Sequence, residues 1–129
     1  MTKTALVTGA AADLGQSMAR KLLDTGWKLI VVSRDAERLN EAYGNEHLQI
    51  VADCSSQDGA RHIFKVAADH QLLPTALAHC VGNIRLGALH RMSAADFSDC
   101  LNANLISAFH TSSAFVGALR EAGAAVLVS

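Results

Sequence analysis

The sequence holds one proline, one tryptophan and one tyrosine, and aromatic side chains make up only 5% of its 129 residues. A single proline beside 50% hydrophobic residues excludes a disordered chain, which buries too little apolar surface to offset the entropy of ordering. An excess of either charge is missing too: 11 basic against 12 acidic residues leave −1 at pH 7, so there is no basic footprint for nucleic acid. No apolar run approaches the ~18–20 residues of a membrane span. Met1-Thr2-Lys3-Thr4 leads straight into a short apolar run ending at Val7, so no secretory h-region is visible. The three cysteines, Cys54, Cys80 and Cys100, are odd in number and too widely spaced for a disulfide framework or a CxxC zinc site. Each stands near alanine, valine or leucine and reads as a small hydrophobe. The six histidines show no HExxH or other paired spacing, so no metal site is expected. A small soluble domain of the reducing cytoplasm is the expectation, with roughly two thirds of its surface buried around one core.

What the chain does have is a hydrophobic period that switches repeatedly between strand and helix. Thr4–Thr8 reads as a buried strand stopped by Gly9. Leu14, Met18 and Leu22 repeat every four residues, one face of a helix that ends near Gly26. Residues 29–32 form a second strand, after which Asp35 caps a short helix carrying Leu39, Ala42 and Tyr43 and closed by Gly44. Residues 47–52 form a third strand, and Ile63, Phe64 and Ala67 mark the helix after it. Pro74 opens a fourth strand over residues 76–81, stopped by Gly82. After a looser stretch, Ser93-Ala-Ala-Asp96 has the form of a capping box. Phe97, Leu101, Leu105 and Ala108 then predict one long helix to about Leu119, and residues 124–128 read as a fifth strand. Strands that are continuously apolar imply helices on both faces of a parallel sheet. The expected fold is thus α/β, a single doubly wound, Rossmann-like domain over residues 1–129 with strand order 3-2-1-4-5.

In such a sheet the ligand sits at the carboxyl ends of the strands. After the first strand, Gly9 and Gly15 bracket a turn that opens a helix, where backbone N–H groups attract a pyrophosphate. After the second come Ser33 and Arg34, neutral and cationic where an NAD site places a carboxylate on the ribose, so NADP(H) is favoured over NAD(H). The alternative for Arg34 is a solvated surface cation. After the third come Asp53 and Cys54: the carboxylate could accept from an adenine amine, or cap the helix that begins near Ser56. After the fourth come Cys80, Val81 and Gly82, small residues that let backbone approach a flat ligand. On the long helix, Asn104 falls on the apolar face with Cys100, Leu101, Leu105 and Ala108, a buried amide that needs hydrogen-bond partners, either as a satisfied core residue or as part of a site.

Together these positions resemble the short-chain dehydrogenase/reductase family almost end to end. The family's Thr-Gly-x-x-x-Gly-x-Gly turn is similar to Thr8-Gly9 through Leu14-Gly15, its strand-three Asp to Asp53, its Asn-Asn-Ala-Gly motif to His79-Cys80-Val81-Gly82, and its helix Asn-Leu pair to Asn104-Leu105. The resemblance implies an oxidoreductase that moves hydride between nicotinamide and a small alcohol or carbonyl compound. It places the pyrophosphate on Gly9, Leu14 and Gly15, adenine on Asp53, the nicotinamide-side ribose on Cys80 to Gly82, and a proton-relay water on Asn104. Arg34 looks like the arginine of NADP-preferring members.

Two departures stand out. Asp13 occupies the place of the turn's second glycine, where a carboxylate caps the helix or repels a phosphate. The family's catalytic Ser follows the fifth strand and is matched by Ser129 or its successor, while no Tyr-x-x-x-Lys pair is present: Tyr43 is followed four residues later by His47. The chain as given is expected to be inactive. The alternative is a non-catalytic nucleotide-binding or interaction module from a truncated gene. A flavodoxin-like response module would cluster acidic residues after the first strand, and only Asp13 stands there. Self-association is expected through the edge of the last strand or the long helix near residues 96–119.

Overall fold

A computed structural model describes residues 3–122. Its centre is β1 (Thr4–Thr8), a strand whose five residues are all buried. β1 pairs in parallel with β2 (Lys28–Ser33) on one side and β4 (Ala76–His79) on the other, and β3 (Leu48–Val51) adds to β2, giving the order β3-β2-β1-β4. The order of the four described strands is the expected one, while residues 124–128 and Ser129 lie outside the described residues. The register sets Thr8 against both Val32 and His79 and Ser33 against Val51, so all four strands finish along one edge.

Alternation along the strands feeds two cores, one per face. Leu6, Ile30, Val32 and Ile50 pack with Ile63, Phe64 and Ala67 of α3 (Gln57–Asp69), joined by Ala114, Phe115 and Ala118 of α5 (Ser107–Glu121). Ala5, Val7, Leu29 and Val31 pack with Ala19 of α1 (Asp13–Asp24) and Leu39 of α2 (Ala36–Tyr43). Three helices start where side chains satisfy orphan N–H groups: Asp35 accepts from Arg38, Ser56 from Gly59, and Ser93 from Asp96 at the start of α4 (Ala94–Leu101). In the capping box the Asp96 carboxylate reaches Arg85 instead, at 3.6 Å. α2 closes on Gly44 with φ +58°, a left-handed conformation that glycine adopts without strain. Among the described residues no helix is long and apolar enough to cross a membrane.

The structure corrects the sequence reading at two helices. On α1, Leu14 and Met18 point outward, 65% and 39% exposed, and the buried face carries Gly15 and Ala19, with Leu22 packed beside them. Small residues win that face because α1 lies against the turn it follows: a β-carbon on Gly15 would overlap the carbonyl oxygen of Gly9. The expected single long helix is α4 and α5 joined by a π-helical turn over Asn102–Ile106. Its apolar stripe is also outward: Phe97, Leu101, Leu105 and Phe109 are exposed. The core side of α5 carries Ser107, Thr111 and Leu119, fully or almost fully buried.

Candidate functional site

The strand tips open into a cleft of about 690 Å³. It brings together eight of the residues that sequence reasoning singled out: Gly9, Ser33, Arg34, Asp53, Cys54, Cys80, Val81 and Gly82. Asp13, Leu14, Gly15 and Asn104 do not line it. The first three form the opening turn of α1 just behind Ala11 and Ala12, which do line it, and Asn104 stands behind Gly82. Arg38, Asn83, Arg85 and Asp99 line the cleft and were missed. Arg38 carried a legible signal, a second arginine four residues after Arg34 beyond an apolar strand; Asn83 and Arg85 belong to a stretch without period, and Asp99 is one polar residue of a periodic helix.

The turn after β1 is held from several sides. Gly9 has φ +60°, and a β-carbon there would sit 2.6 Å from the Cys80 carbonyl oxygen, so the tips of β1 and β4 close up only over glycine. Tyr43 donates its hydroxyl to the Ala10 carbonyl at 2.7 Å, and Gln16 donates its side-chain amide to the Ala11 carbonyl at 2.7 Å. Burial pushes the Tyr43 phenol above its ordinary value, with Cys80 adding to the rise, so the hydroxyl stays a donor at neutral pH. Ala12 precedes α1 without any side-chain cap, which leaves the first-turn N–H groups to other acceptors. Asp13, first in that turn, is exposed.

At the tip of β2, the Ser33 hydroxyl accepts from the Asp35 N–H at 3.1 Å, and the Asp35 carboxylate accepts from the Arg38 N–H at 3.1 Å. Those two bonds shape the loop and commit the nearest carboxylate, while both guanidinium-bearing residues, Arg34 and Arg38, line the cleft. At the tip of β3, Asp53 accepts from the Ser55 hydroxyl at 2.7 Å and the Ser55 N–H at 2.9 Å. These bonds chiefly, with Arg34 helping, hold its carboxyl below the ordinary range. Since Ser56 caps α3, the capping alternative for Asp53 falls away. Cys54 belongs to the core beneath, where burial pushes its thiol up, so it supplies wall rather than reactivity.

At the tip of β4, the Cys80 N–H donates to the carbonyl and the hydroxyl of Thr8, both at 3.2 Å. Thr8 Oγ1 lies 2.8 Å from His79 Nδ1, His79 Nε2 lies 3.1 Å from Ser107 Oγ, and Ser107 donates to the Ala103 carbonyl at 2.6 Å. Asn104 is not the buried amide its spacing suggests. It is exposed, lies in the π-helical turn, and staples the β4 loop: Oδ1 accepts from the Asn83 N–H at 3.1 Å, and Nδ2 donates to the carbonyls of Asn83 at 2.9 Å and Cys100 at 2.8 Å. A β-carbon on Gly82 would come within 2.6 Å of Asn104 Oδ1, so that staple requires glycine beneath it.

A family model described as "short chain dehydrogenase" matches residues 3–129, and the chain belongs to that family. It is similar to the "Rhamnolipids biosynthesis 3-oxoacyl-[acyl-carrier-protein] reductase" of Pseudomonas aeruginosa, 28% identical over 129 residues, covering 95% of this chain and 50% of that protein. A shorter stretch resembles the "Probable NADP-dependent dehydrogenase" of Haemophilus influenzae, 44% identical over 55 residues, covering 40% of this chain and 22% of that one. Among solved structures, the alcohol dehydrogenase of Thermococcus sibiricus, complexed with 5-hydroxy-NADP, superposes with a TM-score of 0.83 at 23% identity over 96% of this chain and 56% of that chain, a likeness of fold. The chain spans about half the length of the curated relatives that it matches end to end.

Proposed function

We propose that the cleft binds a nicotinamide adenine dinucleotide, the 2′-phosphorylated form in preference, as the nucleotide-binding part of an oxidoreductase acting on a small alcohol or carbonyl compound. The observation that carries the preference is the pair Arg34 and Arg38 beside Ser33 at the tip of β2, with Asp35 committed to the loop. Guanidinium groups suit a phosphate dianion, whereas an unphosphorylated ribose calls for a carboxylate acceptor. The cradle also fits the rest of the molecule. Gly9 and the uncapped first turn of α1, Asp13 to Gly15, offer N–H groups to a pyrophosphate. Asp53 receives an adenine amine beside Cys54, Cys80 to Gly82 floor the nicotinamide-side ribose, and Asn104 anchors the loop next to it. Asp13 is exposed, so salt and water screen its repulsion of a phosphate. The nicotinamide, when bound, supplies the hydride acceptor or donor. The NADP in the name of the Haemophilus relative and in the Thermococcus complex supports the same reading.

Tyr43, the only tyrosine, is held on the Ala10 carbonyl in an early helix, which favours a second reading in which the chain by itself binds the nucleotide without turning over substrate. Separate fluorescence titrations with NADPH and NADH test the preference. Arg34→Ala is expected to weaken NADPH by roughly 10- to 100-fold, the range of a charge-assisted hydrogen bond, and NADH by little. Equal losses for the two nucleotides contradict a 2′-phosphate role.

A further inference from the structure

We infer that His79 is a positioning residue: it fastens the π-helical turn that carries Asn104 to the tips of β1 and β4 through one ordered run of hydrogen bonds. The inference rests on the cleft being the nucleotide site and gives that site a support that does not itself line it.

The two ends of the run decide the direction of every proton between them. The Cys80 N–H can only donate, so Thr8 Oγ1 accepts from it and keeps its own proton to give. The Ala103 carbonyl can only accept, so Ser107 spends its proton there and offers His79 a lone pair. Thr8 therefore donates to His79 Nδ1, and His79 Nε2–H donates to Ser107. The neutral Nε2–H tautomer is the one ring state that pairs every group in the run. Thr8 and Ser107 are fully buried and His79 is half-buried, so any other state leaves a buried hydroxyl proton or a ring nitrogen without its partner in the run. Burial also keeps the ring's pKa below its ordinary value of 6.5.

What the run holds is a local irregularity. A π-helical turn has wider winding and less favourable hydrogen bonding than the α-helices around it. Ala103 and Ser107, both in the run, flank Asn104 in sequence, with Ser107 opening α5 directly after the turn. At its other end the run reaches Thr8, the residue before Gly9. Asn104 in turn grips Asn83 and overlies Gly82 in the cleft. A shift of the turn is thus handed to the cleft wall within two residue contacts.

Nuclear magnetic resonance of the full chain tests this. In the unmodified protein at neutral pH, the His79 ring nitrogens are expected to show Nε2 protonated and Nδ1 bare. Ser107→Ala is the mild variant and is expected to move the Asn104 side-chain amide and the Gly82 and Asn83 amide resonances, with NADPH affinity falling roughly three- to tenfold, the effect of one buried neutral hydrogen bond. His79→Gln places an amide nitrogen where Nε2 stands and is expected to restore the Asn104 resonances, whereas His79→Asn, which reaches only toward Thr8, is not. A protonated Nδ1, exchanging tautomers, unmoved Asn104 and Gly82 resonances in Ser107→Ala, or Gln and Asn variants that behave alike each overturn the inference. The ring and amide signals need no ligand, so a cleft that fails to bind NADPH would contradict the nucleotide reading while these signals still decide the fastening.

Discussion

At Gly15, α1 rests against the carbonyl of Gly9, leaving no room for even a methyl group. Gly15→Ala must therefore push the helix off the strand, an overpacking change expected to cost about 1–3 kcal/mol in a urea melt. A loss indistinguishable from the ~0.5 kcal/mol scatter of surface substitutions would contradict the close approach. His79 makes a prediction in pH. Its pKa is ordinary when unfolded and lowered by burial when folded, so above pH 6.5 both states are neutral and its contribution is complete. As pH falls below 6.5 the unfolded chain takes up the proton first, and stability declines until the folded ring titrates as well. Urea midpoints measured from pH 8 to pH 5 should show this decline in the unmodified protein and a shallower one in His79→Asn; identical slopes would contradict it. Asp53, whose carboxyl is held below its ordinary value of 3.8, loses its part as pH falls through that value and lower, outside that window. These residue-scale facts were half legible. Gly9, Arg34 and Asp53 announce themselves by standing just after apolar strands, whereas nothing in the one-dimensional pattern links Thr8, His79 and Ser107, which meet only because parallel pairing brings β1 beside β4 and α5 packs against β4.

Helix spacing tells that an apolar stripe exists but not which side of the helix will find a core. Phe97, Leu101, Leu105 and Phe109 repeat every four residues and are all exposed. The core instead takes another face of α5, with Ala114, Phe115 and Ala118, and the Phe115 ring lies 6.1 Å from Phe64 on α3, centroid to centroid. The same inversion on α1 leaves Leu14 and Met18 outside. A stripe of four large apolar side chains exposed among the described residues favours a self-complementary contact with a second copy. Light scattering at micromolar concentration is expected to find an oligomer for the unmodified chain and a monomer for the double variant Leu105→Glu/Phe109→Glu. A monomer without substitution, or an assembly indifferent to both glutamates, would contradict it.

Across the molecule, the four-strand order and its parallel sense were readable because the strands are short, mainly apolar runs and each crossover carries a helix of ordinary length. The fifth strand and Ser129 lie outside the described residues. Two concavities compete for a ligand in what is described: the cleft at the strand tips and a second, of about 960 Å³, between α3 and α5 around Phe64, Leu72 and Phe109. Only the first gathers an uncapped helix start, Arg34 and Arg38 at one strand tip, and a hydrogen-bonded carboxylate. Residue-resolved amide shifts during an NADPH titration separate the two most directly. The shifts are expected to gather at Gly9, Arg34, Arg38, Asp53 and Gly82 and to saturate together; no shifts at millimolar nucleotide, or shifts confined to the groove between α3 and α5, would contradict the account.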